Sequence, residues 1–72
     1  MIFTLEDDQG TIHQGTHKKC CSQMIDLADK LKDEGVYDAN ETQEIIDFFG
    51  NLEDNKEGEF FGFFLKKRVN YG

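Results

Sequence analysis

The sequence predicts an α+β fold: a two-layer sandwich in the order strand, strand, helix, helix, strand, with a small three-stranded sheet packed on two helices. Three observations carry that prediction. Residues 1–6 place Met1, Phe3 and Leu5 on one face, residues 16–34 repeat apolar side chains at helical spacing, and residues 58–69 form a Phe-rich run apolar on both pleats. At 72 residues the chain is expected to be a single domain, residues 1–72, near the size at which one core only just suffices. With 38% hydrophobic residues and seven Phe, it has enough apolar mass to build that core.

Asp7-Asp-Gln-Gly10 is turn chemistry, with Gly10 free to take a positive φ, so Thr11 to Gln14 reads as a return strand. That hairpin would set Ile12 on the face used by Phe3 and Leu5. Thr16 has the chemistry of a helix N-cap and Gly35 that of a left-handed stop, predicting a helix to about Glu34. Cys20, Met24, Leu27, Ala28 and Leu31 fall on one side of it, Lys18, Lys19, Asp26 and Asp33 on the other. A second helix is expected from an Asn40 cap with Gln43 three residues on, burying Ile45, Phe48, Phe49 and Leu52. Gly50 either ends it or sits inside it. Asp54 to Gly58 reads as a turn, and residues 59–69 as one strand, central or beside strand 1. In that strand Phe61, Phe63 and Leu65 share one pleat, Phe60 and Phe64 the other. Gly62 leaves a notch between the last two.

Net charge is −7, and it is uneven: residues 36–59 hold eight carboxylates and one Lys, whereas residues 60–72 hold three bases and no acid. A field of this sign repels nucleic acid directly and favours basic protein partners; the bland alternative is that the acid only confers solubility. Adjacent Cys20 and Cys21 form no disulfide framework, and no apolar run is long enough to span a bilayer. A cytoplasmic protein without a membrane partner is expected.

Four features have chemistry to weigh. Glu41, Glu44, Asp47, Glu53, Asp54, Glu57 and Glu59 cluster around the second helix and the following turn. Helix neighbours three or four apart lie ~5–6 Å from one another, close to the spacing of backbone phosphates, so this array could occupy a nucleic-acid-binding site. Small acidic inhibitors that phages make against restriction or CRISPR enzymes act in this way as a class. The chain resembles them in size and charge and shares no motif with them. The second Phe pleat, Phe60 and Phe64, is the other candidate contact, either for a partner or for a homodimer. His13, His17, Cys20 and Cys21 have zinc-ligand chemistry. They lie within nine residues and lack the two separated halves of established sites, so neither metal nor cofactor is expected. A Cys–His nucleophile has no cleft-forming sequence around it, and no catalytic residue is expected. Lys66-Lys-Arg68 is too short to bind nucleic acid against the overall charge.

The expected function is therefore binding without turnover. The chain reads as a small regulator or inhibitor, of the sort encoded by phages or mobile elements, that blocks a host macromolecule such as a nucleic-acid-binding enzyme. The expected partner-binding residues are Glu41, Glu44, Asp47, Glu53, Asp54, Phe60 and Phe64. The alternative is a structural or homo-oligomeric protein.

Overall fold

The computed structural model describes residues 2–68. It is an α+β structure with two helices and four antiparallel strands: β1 (Ile2–Asp7), β2 (Gly10–Gly15), α1 (His17–Asp33), α2 (Ala39–Gly50), β3 (Gly58–Phe60) and β4 (Phe63–Arg68). The sheet order is β2-β1-β4-β3, so β4 lies beside β1 in the middle, where the last strand was expected. The expected three strands are thus corrected to four, because the Phe-rich run turns back on itself after Phe60. The expected place of Met1 on the Phe3 face and the expected strand end at residue 69 lie outside the described residues.

The first hairpin forms as its turn chemistry predicts. Asp7 Oδ1 accepts from the Gln9 amide at 2.8 Å, and Gly10 takes φ +130°. Its register departs from simple alternation. A bulge opposite Leu5 and Glu6 pairs Leu5 with His13, leaving Ile12 at the edge, 36% exposed rather than on the Phe3 face.

Thr16 caps α1, accepting from the Lys19 amide at 3.2 Å. At the other end the Gly35 amide reaches Lys32 O and the Val36 amide reaches Leu31 O, with Gly35 at φ +82°. That pair of bonds is a Schellman stop, and it needs a residue free to adopt positive φ. The second cap differs from expectation. Asp38, not Asn40, starts α2: its side chain accepts from the Glu41 amide at 2.8 Å, and Glu41 Oε1 accepts from the Asp38 amide at 3.1 Å. Both frames have capping-box spacing. The Asp38 frame wins because two carboxylates face the helix N-terminus and Thr42 then falls on the buried side. Gly50 is the last residue of α2.

Phe3, Leu5, Phe63 and Leu65 face the helices and meet Cys20, Met24, Ala28, Ile45 and Phe49 in one core. Among the described residues the opposite sheet face carries no helix, and its own side chains lie over part of it. Arg68 Nε donates to Thr4 Oγ1 at 3.0 Å, and Thr4 is fully buried beneath it.

Candidate functional site

Two residues decide what the Phe-rich run presents. Phe61 has φ +53° and Gly62 φ +78°, the two positive values of a tight two-residue hairpin turn. Phe60 therefore pairs directly with Phe63, and residues facing each other across a ladder share a face. Phe60 turns towards the helices with Phe63 and Leu65, which corrects the expected grouping of Phe60 with Phe64. Phe61 is lifted out of the alternation altogether and sits in the turn, 38% exposed. Of these aromatics the open sheet face keeps Phe64, half-buried, with Lys66 Nζ 5.3 Å from its ring centroid and 3.8 Å from Glu6 Oε1. The expected broad Phe surface on that pleat, which motivated a homodimer there, is not formed.

The aromatic rings run instead along the seam between α2 and the β3–β4 hairpin. Phe48 lies edge-on to buried Phe49 at 4.9 Å and stacks on Phe60 at 4.7 Å and 8°. Phe60 touches Phe61 at 4.9 Å, and Phe61 meets the Tyr37 ring edge-on at 5.7 Å. Left-handed backbone costs an ordinary residue about 1–2 kcal/mol. Aromatic pairs return about 0.5–1.5 kcal/mol each, so the two ring contacts of Phe61 roughly offset its strain.

The predicted acids divide into three groups. Glu44, Asp47, Glu53 and Asp54 are exposed on the outer side of α2 and the turn beyond it. Glu41 and Glu57 are tied to backbone: Glu41 closes the α2 cap, and Glu57 Oε2 accepts from the Lys67 amide at 2.9 Å, extending the short β3 edge. Glu59 pairs with Phe64, which puts it on the open sheet face, away from the others. A groove of about 520 Å³ cuts into the acidic side, lined by Asp47, Glu53 and Glu57 together with Asn51 and Lys56, over Phe48 and Leu52. Glu41, Glu44 and Phe48 fall within one flank of α2 at 100° per residue, so two acids and a ring share the side of the helix along the seam.

The His and Cys residues do not assemble as one ligand set. Cys20 Sγ points at the sheet and donates to Phe3 O at 3.6 Å. His17, 7% exposed, has Nε2 2.9 Å from the Lys56 carbonyl oxygen. That oxygen can only accept, so Nε2 carries the proton, and His17 fastens the α2–β3 connection to the start of α1. Its Nδ1 lies 3.9 Å from Cys21 Sγ and 4.0 Å from Asp54 Oδ1, at the wall of a cleft of about 280 Å³. Burial pushes the Cys21 thiol up, and the nearby Cys20 and Asp54 push it further in the same direction, which makes it a poor nucleophile. Among the described residues, no three His, Cys, Asp or Glu side chains are grouped to hold a metal ion. No helix among them is long and apolar enough to cross a membrane.

Sequence reasoning missed Phe61 as a surface residue, placing it on the Phe63 pleat, and expected Phe48 buried where it is only half-buried. The available signal was Gly62: an X-Gly pair between apolar runs marks a two-residue turn, and Phe in place of the usual Asn or Asp concealed it. In comparisons with protein families, curated proteins and solved structures, the chain matches none.

Proposed function

We propose that the protein is a small binding module that occupies a basic surface of a protein partner, as a regulator or inhibitor, without turnover. The fitting partner is a nucleic-acid-binding protein of the host, whose phosphate-binding surface the acids would fill. The observation that carries this reading is the exposure of Glu44, Asp47, Glu53 and Asp54 on α2 and the turn that follows it. Among the described residues the ion pairs join His17 to Asp54 and Glu6 to Lys66, and neither takes in Glu44, Asp47 or Glu53. Charge left without an internal counterpart is available to an external one.

The double variant Glu44→Lys/Asp47→Lys tests it. Both side chains point outward, so the fold is expected to survive, checked by circular dichroism. Wild-type protein immobilised as bait is expected to retain basic nucleic-acid-binding proteins at low salt and release them at high salt. The double variant is expected to retain none. Retention that is indifferent to salt, or that survives the double charge reversal, would overturn the reading.

A further inference from the structure

We infer that the partner docks along the seam between α2 and the β3–β4 hairpin, and that the seam takes arginine side chains. This inference rests on the binding role proposed above and names the chemistry of the segment bound. Three independent features converge there. The first is a row of partly exposed rings, Tyr37, Phe61, Phe60 and Phe48, in contact from one end of α2 to the other. The second is charge: Glu41, Glu44 and Asp47 border the row, and the groove at its Phe48 end sets three carboxylates, Asp47, Glu53 and Glu57, against the single base Lys56 over an apolar floor. The third is the placement of Phe61. An Asn or Gly suits a positive φ in a two-residue hairpin far better than an exposed Phe does, so fold stability alone gives little reason for the ring.

Rings bordered by carboxylates match one side chain better than any other. A guanidinium is planar, weakly hydrated and always charged; it stacks on an aromatic face while its edge donates to carboxylates. Its three-carbon stem lies well on an apolar floor such as Phe48 and Leu52. Lysine has the same charge but is a compact, strongly hydrated ion, and it gains less from a ring. A purely apolar partner would leave Glu44 and Asp47 facing it without counter-charge, and a nucleic acid would be repelled. The occupant is therefore an arginine-bearing segment of a protein.

The test compares oligo-arginine and oligo-lysine peptides of equal length, titrated into the wild-type chain and followed by calorimetry and by nuclear magnetic resonance of the Phe and Tyr rings. Each stacked guanidinium is expected to favour the arginine peptide by about fivefold over lysine, with ring shifts at Tyr37 and Phe61. Phe61→Asn tolerates the positive φ, so it keeps the hairpin. It is expected to bring the two peptides to parity, without abolishing the salt-dependent attraction they share. Equal binding of both peptides by wild type, or an arginine preference that survives Phe61→Asn, overturns the seam while leaving the acidic-surface reading intact. Failure of both peptides to bind at low salt overturns both readings.

Discussion

Replacing Phe60 and Phe64 separately with Ala tests the hairpin on which the candidate site is built. If residues 59–69 ran as one strand, the two would share a pleat and their removal would cost similar amounts. In the hairpin they lie on opposite faces. Phe60 is half-buried and stacks on Phe48 at 4.7 Å, with Phe61 at 4.9 Å. Removing a fully buried Phe costs about 3–5 kcal/mol, so half of that gives about 2 kcal/mol. Loss of the stacked pair adds about 1 kcal/mol. Phe64 is also half-buried, but its cover is the flexible stem of Lys66 on an open face, where water can refill the space. Its loss leaves no closed cavity and should cost about 1 kcal/mol. A chain of 72 residues has a total stability of about 4–11 kcal/mol, so both variants remain measurable while Phe63→Ala, in the core, approaches the limit. Because there is no Trp, urea unfolding is best followed by far-ultraviolet circular dichroism. Phe60→Ala should lower the thermal midpoint by about 12–24 °C and Phe64→Ala by about 4–8 °C. Equal losses, or the larger loss at Phe64, would refute the turn at Phe61 and Gly62.

Two further outcomes probe the same packing. At Gly58 an added Cβ would stand 3.0 Å from Phe48 Cε1, 3.1 Å from Cζ and 3.2 Å from Leu52 Cδ2. Gly58→Ala should therefore cost about 1–2 kcal/mol by overpacking the seam, although Ala ordinarily stabilises a strand. A urea midpoint unchanged or raised would show that Phe48 yields freely. Alkali gives the other outcome. Burial raises the Cys20 and Cys21 thiols above 9.0 and the Tyr37 hydroxyl above 10.0, with Glu41 adding to the latter. The native state then holds these protons more tightly than the unfolded chain does. The resulting stability is complete below the ordinary values and drains away as pH rises through the native ones. The urea midpoint should be level near neutrality and fall above about pH 9; a midpoint still level at about pH 11 would contradict the burial of the thiols.

How far the fold was legible depends on where each signal resides. The ends of α1 could be read because Thr16 and Gly35 act through bonds to residues three or four positions away, a range that sequence spacing captures. The same is true of the turn at Asp7 to Gly10. The start of α2 was ambiguous because Asp38 with Glu41 and Asn40 with Gln43 offer equivalent spacing, and burial of Thr42 chooses between them. Ile12 was misplaced because a bulge is a property of two paired strands. The turn at Phe61 was hidden since local preference argues against Phe at positive φ, and only ring contacts from Tyr37 and Phe60 make it tolerable. At the candidate site, the outward direction of Glu44 and Asp47 followed from helical periodicity. The engagement of Glu57 did not, because its partner, the Lys67 amide, belongs to a strand whose register was unknown.

The asymmetry of charge follows from the hairpin as well. By reversing the chain at Phe61 and Gly62, it sets Lys66 and Arg68 on the open face of the central strand β4, where Lys66 meets Glu6 and covers Phe64 while Arg68 covers Thr4. Those bases are thereby used within the sheet, on the face opposite the helices. On the α2 side, Glu44, Asp47 and Glu53 enter no ion pair among the described residues, and a single base, Lys56, lines the groove with Asp47, Glu53 and Glu57. Acid that served solubility alone could be spread over any surface with equal effect. Here it borders a row of rings that includes a strained, exposed Phe, and an apolar surface of that sort lowers solubility rather than raising it. Solubility therefore explains the carboxylates but not their company, whereas recognition of a cationic, stackable side chain explains both.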